Sequence, residues 1–444
     1  MIRGRKMATL SVVASVFAST VAFSIVATTL PAHAATAGFV ESYSQQPPVG
    51  TIPIVGDFTD LDGLHIDDIL WYGVGKIREQ WWWGTSSGRF TKPTTGNPVI
   101  NGNYQPLTGD FNGDGHLDIV WYGPGKTVDY VWYGNGLGGF TTSLISPGIN
   151  GVYQPLIGDF DNNGSDDIIW YAPGRNTDYI WYGWSAPTNP RGDFARAVLP
   201  PINGTYDYVT GGDFNGDGAL DLLWWSKNSV SHPRWLSTGI RGKWNTDHVS
   251  GPGKGSLPMV MNLDGQGASD IFWYGAGTIP DEVMLGTTPV TTAPRHINGN
   301  YDPIWGNFNG DTTSPKPFDD ILWWATSAGG HDAFWQGNGT ASPTPVPYTN
   351  HHQDWSTHYP SLGYFNSDNA LDIQFGDPFG RSNSFYFGID TLAGNGPSFG
   401  SAVFGSSPIR RHLAPTFAIR GAVCSSAGKK FLPSECALLA HSTR

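Results

Sequence analysis

Residues 109–123 read GDFNGDGHLDIVWYG, and this short stretch decides the fold of the chain. Asp110, Asp114 and Asp118 stand four residues apart, and the apolar run 119–122 follows directly. Carboxylates held this close repel one another unless a cation or hydrogen-bond donors lie among them. The stretch therefore predicts a tight acidic loop that leads into a buried β-strand.

The same pattern recurs along the chain. Three further close copies start at Gly56, Gly158 and Gly212, and three weaker copies start at Met261, Gly306 and Gly363. The starting points are 45 to 57 residues apart. A repeat of this period, built from short strands and turns, is typical of the blades of a β-propeller.

Each repeat has the pattern of four short strands. In the second repeat we expect them at 104–110, 119–123, 129–133 and 140–145, separated by Gly, Pro and Asn, which favour turns. Aromatic pairs such as Trp121-Tyr122 run consecutively instead of alternating with polar residues, so both faces of the sheet must be covered. The sequence therefore predicts an all-β fold, a seven-bladed β-propeller of four-stranded antiparallel blades.

The two ends of the chain differ from the repeats. Residues 1–34 combine basic residues, an apolar stretch and an A-x-A site, which predicts a cleaved secretory signal peptide, with an uncleaved membrane anchor as the alternative. The propeller is assigned to residues 35–404. Residues 405–444 form a tail in which Cys424 and Cys436 form a local disulfide or remain free thiols.

Two segments compete to complete the last blade of the ring. Residues 38–42 resemble the fourth strand of the second repeat, and residues 399–404 do so as well. The pattern alone does not decide between an N-terminal and a C-terminal closing strand.

Composition narrows the possible partners. The formal net charge is −12, and only 14% of residues are charged, against about 25% in ordinary globular chains. An acidic chain is a poor partner for nucleic acid or anionic membranes, but it can bind cations. Beyond the N-terminal segment no apolar run is long enough to span a membrane. We expect a secreted, extracellular monomer.

The acidic loops have the spacing of a calcium-binding loop. Oxygen side chains occupy loop positions 1, 3, 5 and 9, position 7 can offer its carbonyl, and glycines at 4 and 6 let the loop wrap tightly. The predicted ligands in the three best copies are Asp110, Asn112, Asp114, His116 and Asp118; Asp159, Asp161, Asn163, Ser165 and Asp167; and Asp213, Asn215, Asp217, Ala219 and Asp221. The alternative is a metal-free turn in which Asp and Asn side chains cap backbone N–H groups.

The remaining loops keep only part of this pattern. The first offers Asp57, Asp62 and Asp68, and the sixth offers Asn309, Asp311 and, after an insertion, Asp320. The fifth and seventh loops retain still fewer carboxylates, namely Asp264 and Asp270, and Asp368 and Asp372. Calcium is therefore predicted more strongly for repeats two to four than for the others.

The D-x-[DN]-x-[DN]-G-x-x-D core resembles the FG-GAP or VCBS repeats of integrin-α-like seven-bladed propellers, in a secreted bacterial form. The resemblance covers residues from about 50 to 400. It implies several structural Ca²⁺ ions in the loops between the first two strands of the blades, and an extracellular binding role. Secreted fungal lectins of similar build bind sugars between blades.

The function that follows is a calcium-stabilised binding module for a polysaccharide or glycan, lectin-like or adhesive. The sequence Ile-Asn-Gly-x-Tyr precedes four repeats, at 100–104, 149–153, 202–206 and 297–301, and would give several equivalent sites unless it only turns the chain between blades. Residues Trp81, Trp82 and Trp83 could form a sugar platform or belong to the core.

Two other classes of function remain open. A polysaccharide lyase or glycosidase would need carboxylates held across a cleft, and neither the few glutamates nor the histidine-rich segment 351–358 has a recognisable catalytic spacing. No catalytic residue is assigned, and an enzyme is the weaker hypothesis. A protein-interaction scaffold is the third, supported only by the tripeptide Arg191-Gly192-Asp193.

Overall fold

The computed structural model describes residues 40–44, 46–59, 65–174, 177–184, 194–202, 204, 206–289, 296–311, 317–325, 331–346, 359–368, 370–376, 383–387, 424–426 and 429–431. Regular structure in these residues is entirely β, in thirty strands named β1 to β30 in chain order. The predicted all-β propeller of four-stranded antiparallel blades is confirmed.

The first three blades each take four strands that are consecutive in sequence. Blade 1 contains β2 (Thr51–Gly56), β3 (Asp68–Gly73), β4 (Gln80–Gly84) and β5 (Phe90–Thr91). Blade 2 contains β6 (Gln105–Gly109), β7 (Asp118–Tyr122), β8 (Tyr130–Gly134) and β9 (Phe140–Leu144). Blade 3 contains β10 (Gln154–Gly158), β11 (Asp167–Tyr171), β12 (Tyr179–Tyr182) and β13 (Ala195–Val198).

The next three blades repeat this meander. Blade 4 contains β14 (Tyr208–Gly212), β15 (Asp221–Trp225), β16 (Ser231–Ser237) and β17 (Trp244–Ser250). Blade 5 contains β18 (Leu257–Met261), β19 (Asp270–Tyr274), β20 (Glu282–Leu285) and β21 (Thr288–Pro289). Blade 6 contains β22 (Tyr301–Gly306), β23 (Asp320–Ala325), β24 (Ala333–Gln336) and β25 (Thr344–Val346).

The last four-stranded sheet joins the two ends of the repeat region. It contains three consecutive strands, β26 (Tyr359–Gly363), β27 (Asp372–Gly376) and β28 (Asn383–Phe387), and its outer strand is β1 (Val40–Ser44), antiparallel to β28. The N-terminal segment is therefore the closing strand, and the rival segment 399–404 lies outside the described residues. Contact of β26 with β2 of blade 1 completes the ring.

The second strand of each blade carries the core. All five residues of β7 are buried, and so are those of β11, β15 and β19. Trp121 of β7 is only 1% exposed and lies between Tyr72 of blade 1 and Trp132 of its own blade, at centroid distances of 5.1 and 5.2 Å. Neighbouring blades thus cover both faces of each sheet, which explains the consecutive aromatic pairs.

The ends of the chain add little to this description. In the C-terminal region β29 (Cys424–Ser426) pairs with β30 (Lys429–Phe431), while Cys436 and residues 1–34 lie outside the described residues. The disulfide and the signal peptide therefore remain predictions. Within the described ranges there is no helix of the length and apolar character needed to cross a bilayer.

Candidate cation-binding loops

The acidic loops connect the first and second strands of the blades. In blade 2 the loop runs from the end of β6 at Gly109 to the start of β7 at Asp118. Gly113 and Gly115 adopt φ of +70° and +85°, so the glycines allow the tight wrap that the spacing predicted.

The last aspartate of each loop fastens the loop to its own blade. The Asp118 carboxylate accepts the N–H of Phe111 (2.9 Å) and the N–H of Gly134 at the end of β8 (2.8 Å). Equivalent pairs of bonds are made by Asp68, Asp167, Asp221, Asp270 and Asp320. These aspartates have no exposed surface. Position 9 is therefore a structural staple in every blade where both bonds are described.

Burial has an electrostatic cost at these staples. Desolvation, together with the nearby charges of Asp110 and Asp114, raises the pKa of Asp118 to about 9, although the two N–H donors act to lower it. Desolvation likewise raises the pKa of Asp68 and Asp221 to about 7, and that of Asp270 to about 6. An ionised carboxylate here is stabilised by any positive charge in the loop.

The position-1 aspartates of blades 2 and 4 turn inward on their own loops. Asp110 accepts the N–H groups of Gly113 (2.7 Å) and Gly115 (2.8 Å). Asp213 accepts those of Gly216 (2.6 Å) and Gly218 (3.0 Å). This is the capping geometry of the metal-free alternative. Asp159 of blade 3 likewise accepts the N–H groups of Asn163 (3.0 Å) and Gly164 (2.8 Å), so capping at position 1 is common to all three loops.

Position 5 lies at the rim in the same two loops. Asp114 and Asp217 are exposed, and each accepts a hydrogen bond from the asparagine at position 3, Asn112 or Asn215, over 3.0 Å. His116 and Ala219 at position 7 donate their N–H groups to these aspartates, both over 2.9 Å.

Blade 3 brings its three carboxylates together. Asp159, Asp161 and Asp167 each place one oxygen within 4.8 Å of the others, the only such group of acidic, histidine or cysteine side chains in the described ranges. In this loop Asp and Asn exchange places, because Asp161 is at position 3 and Asn163 at position 5. Asp161 is buried, whereas Asn112 and Asn215 at the same position are half-buried and exposed, so blade 3 has a buried carboxylate where the neighbouring loops have an amide nearer the surface.

The blade 3 loop fits a hard cation. Oδ1 of Asp161 is buried without a hydrogen-bond partner, and so is Oγ of Ser165 at position 7. Asp161 is 7% exposed and Ser165 is fully buried. Buried oxygen atoms without donors are costly, and carboxylate and hydroxyl oxygens are the ligands that Ca²⁺ prefers. Desolvation, and then the charges of Asp161 and Asp159, raise the pKa of Asp167 well above its usual value.

The predicted ligands in the loops of blades 1 and 6 are not brought together as they are in blade 3. Asp57 lies 3.2 Å from Nδ1 of His65, and Asp62 lies outside the described residues. In blade 6 the N–H of Asp311 donates to Oδ1 of Asn309 (3.0 Å), while the Asp311 carboxylate accepts the N–H of Phe318 (3.2 Å). These contacts describe hydrogen-bonded turns rather than an assembled set of ligands.

The Ile-Asn-Gly-x-Tyr segments form the inter-blade connections. Tyr72 Oη of blade 1 donates to the carbonyl of Gly102 (2.8 Å) and accepts the N–H of Tyr104 (2.9 Å), and the Tyr104 ring packs on Trp121. The same bonds recur from Tyr122, Tyr171 and Tyr274. The structural interpretation of this motif therefore explains its repetition. Trp81 and Trp82 are core residues, 2% and 0% exposed, and only Trp83 of that triplet is partly exposed.

A second set of buried acids was not predicted. Asp129 accepts the N–H groups of Gly123 (2.8 Å) and Ile149 (2.8 Å), which joins the turn after β7 to the connection that leads into blade 3. Asp178 and Asp281 make the matching bonds in their blades. Each directly precedes the third strand of its blade, a regular position that could have revealed them.

Comparison with known proteins agrees with this architecture. Residues 60–121 and 110–170 match the model of the FG-GAP-like repeat family. A lectin from Agrocybe aegerita, described as recognising non-reducing terminal N-acetylglucosamine, superposes with a TM-score of 0.51 at 15% identity over 76% of this chain and 88% of the lectin. An α-L-arabinanase from Penicillium chrysogenum superposes with a TM-score of 0.37 at 13% identity, over 65% of this chain and 94% of the other. No curated protein sequence matches.

Proposed function

We propose that this chain, whose residues 60–170 are FG-GAP-like repeats, is a secreted, calcium-stabilised propeller that binds carbohydrate. The carboxylate cluster of Asp159, Asp161 and Asp167 carries the proposal, because it places a buried, unpartnered oxygen among three acids.

Calcium has a structural role in this proposal. Asp159, Asp161 and Asp167 would hold the ion in blade 3, with Ser165 at the seventh position. A bound Ca²⁺ offsets the repulsion among buried carboxylates. Because the unfolded chain does not assemble these ligands, binding stabilises the folded state by mass action. Blades 2 and 4 offer weaker versions of the same site, in which the position-5 carboxylate would have to turn in from the rim.

Carbohydrate is proposed to bind beside the acidic loops, at the junctions between blades. Trp184 is 37% exposed, and its backbone N–H donates to the carbonyl of Phe111 in the blade 2 loop (3.0 Å). Trp83 in β4 is half-buried, stacks on Trp81 at a centroid distance of 4.4 Å, and lies with Thr59 of the blade 1 loop against Gly138 of blade 2. Partly exposed indole rings beside polar loops suit the apolar face and hydroxyl rim of a sugar. The similarity of fold to a lectin supports this reading.

Export is proposed from the N-terminal sequence alone. Basic residues, an apolar stretch and the A-x-A site at 32–34 have the order of a secretory signal. Millimolar calcium outside cells would also saturate sites of modest affinity. N-terminal sequencing of the protein from culture medium tests this point, with Ala35 expected as the first residue.

A glycan array in the presence of Ca²⁺ tests the binding role. We expect retention on one class of glycan, no release of reducing ends or unsaturated products, and loss of retention in Trp184→Ala but not in Trp184→Phe. Release of sugar fragments would instead favour the enzyme hypothesis. Equal retention of wild type and Trp184→Ala would place the sugar site elsewhere, and no retention on any glycan would reject the carbohydrate role.

A further inference from the structure

The blade 3 loop differs from its neighbours in having a positive side chain beside it. Arg241 lies in the turn between β16 and β17, the outer hairpin of blade 4. Its Nε donates to Oδ2 of Asp161 at 2.5 Å, although the two residues are 80 positions apart in the chain. An arginine of one blade thus contacts the acidic loop of the blade before it.

Three further contacts fix this arginine. Its Nη2 donates to the carbonyl of Gly183 at the end of β12 (3.2 Å), and its guanidinium lies 4.9 Å from the centre of the Tyr182 ring. The next residue, Gly242, donates its N–H to Oη of Tyr182 (2.7 Å). The hairpin of blade 4 is therefore held on blade 3 through both its main chain and its side chain.

The two carboxylate oxygens of Asp161 have different surroundings. Oδ2 bonds the guanidinium, and the side chain of Asp161 is 4% exposed, whereas that of Arg241 is 42% exposed. Oδ1 has no hydrogen-bond partner, and a carboxylate oxygen of Asp161 lies within 4.8 Å of oxygens of Asp159 and Asp167. The loops of blades 2 and 4 have asparagine at this position, which cannot form an ion pair.

We propose that Arg241 is a resident cation of the blade 3 loop, which ties blade 3 to blade 4 and lowers the affinity of this loop for calcium. The inference rests on the proposed calcium role and adds a regulation of that site. Without metal, the guanidinium offsets one of three crowded carboxylates. With Ca²⁺ among the same oxygens, two positive charges share Asp161, so each weakens the binding of the other.

The size of this coupling follows from Coulomb's law. A unit charge a few ångströms from a divalent ion, at a partly solvated site, changes its affinity by about tenfold or more. Coupling of this kind is reciprocal, so calcium must weaken the tie between blades 3 and 4 by the same factor. The loop of blade 3 would then combine the best carboxylate geometry with a built-in competitor.

The test compares Arg241→Gln with Lys243→Gln in the full chain. Lys243 is exposed in the same hairpin, so the control loses the same charge two residues away. Thermal unfolding is measured in chelator and in Ca²⁺, and calcium affinity is measured by titration calorimetry. We expect Arg241→Gln to lower the midpoint in chelator, to bind calcium about tenfold more tightly at one site, and to show a larger calcium-induced rise in midpoint than wild type. Lys243→Gln should match wild type.

The possible results distinguish a failure of this inference from a failure of the calcium role on which it rests. If wild type gains stability from calcium but Arg241→Gln responds as Lys243→Gln does, Arg241 is not coupled to the ion and the inference fails alone. If wild type neither binds nor responds to calcium, both proposals fail. In an Asp161→Asn background, Arg241→Gln should no longer lower the unfolding midpoint in chelator, because the ion pair that it removes is already gone. A loss of midpoint as large as in the wild-type background would show that Arg241 does not act through Asp161.

Discussion

The N–H of Asp110 donates to the carboxylate of Asp166, 56 residues later, over 2.8 Å, and the N–H of Asp166 donates back to the carbonyl of Asp110 over 2.7 Å. This reciprocal pair ties the acidic loop of blade 2 to the start of β11 in blade 3. The same pair recurs with Asn262 and Asp319, with Tyr364 and Asp67, and with Asp213 and Ser269.

At two other junctions between blades, a leucine stands where Asp166 and its counterparts supply a polar acceptor. Leu220 donates its N–H to the carbonyl of Asp159 (3.0 Å), and its side chain lies so close to Gly158 that a Cβ there would meet it at 2.1 Å. Leu371 packs on Gly306 in the same way. At each of these junctions the following blade therefore contacts the preceding acidic loop, either through a polar hydrogen-bond acceptor or through a leucine side chain packed on a glycine.

The polar junction gives a direct prediction for Asp166. Asp166→Ala leaves the buried N–H of Asp110 without its acceptor and should lower the free energy of unfolding by about 1–3 kcal/mol in urea denaturation. Asp166→Ser should recover part of that loss, because Ser269 Oγ accepts the equivalent N–H of Asp213 over 3.0 Å in blade 5. Equal stability of Asp166→Ala and wild type would show that the bond adds nothing to the junction.

The tyrosine hydroxyl that bonds the next inter-blade connection gives a prediction about stability, because removing that one oxygen should lower the free energy of unfolding. Tyr122 Oη donates to the carbonyl of Gly151 (2.9 Å) and accepts the N–H of Tyr153 (2.9 Å). Tyr122→Phe keeps the packing and removes the acceptor of the Tyr153 N–H, while the Gly151 carbonyl keeps only its bond from the Gly125 N–H (2.6 Å). We therefore expect the free energy of unfolding to fall by about 1–3 kcal/mol. Tyr130→Phe, in the same blade, serves as a control of the same chemistry. The account of the motif would be wrong if the two variants were equally stable.

The staples predict how calcium stabilisation depends on pH. Burial raises the pKa of Asp118 to about 9 and those of Asp68 and Asp221 to about 7, above the usual aspartate value of 3.8. A carboxyl with a raised pKa binds its proton more tightly when folded, so the stability that it contributes is full below pH 3.8 and is lost as pH rises through 7 to 9.

This loss applies to the metal-free protein, because calcium favours the ionised carboxylates. The gap in unfolding free energy between saturating Ca²⁺ and chelator should therefore widen as pH rises from 5 to 9. Denaturant unfolding in both conditions at each pH measures it. A gap that stays constant over this range would mean that calcium is not linked to these acids.

His232 predicts a pH dependence of stability opposite in sign to that of the buried aspartates. Its ring is 1% exposed, stacks on Trp273 at 5.1 Å, and has two nitrogens without partners, so desolvation lowers its pKa from 6.5 to about 4. The unfolded chain binds this proton more tightly, so stability should fall by about 3 kcal/mol as pH drops from 6.5 to 4. His232→Phe keeps the stacking and should lose about that much of the dependence. An unchanged pH profile in this variant would contradict the assignment.

Repetition made the scaffold predictable from sequence. The motif around Asp110 located the loop and the buried second strand of its blade, and the consecutive pair Trp121-Tyr122 indicated that both sheet faces are covered. The closing strand could not be chosen, since two segments had equal patterns. In the structure β1 pairs with β28, so the N-terminal segment is the closing strand.

Contacts between blades were beyond the reach of the motif. Asp166 seemed to be one more acid in a loop, yet its carboxylate serves the preceding blade. Arg241 comes from a hairpin with no repeated signature and reaches Asp161 only because the blades are adjacent. At position 9, which the motif predicts as a metal ligand, Asp118 also has both oxygens bonded to backbone N–H groups, a structural role that the spacing does not reveal. Spacing specifies which residues share a loop, not which way each carboxylate turns.

The most direct test of the central claim is calcium binding by the loop of blade 3. Calcium titration calorimetry on the metal-stripped wild type and on Asp161→Asn, with unfolding midpoints in Ca²⁺ and chelator, measures both occupancy and stabilisation. The account predicts that wild type binds calcium and unfolds at a higher temperature with it, and that Asp161→Asn loses one binding site and part of that rise. Identical isotherms and midpoints for the two proteins would contradict it, and would leave these aspartates as caps of a metal-free turn.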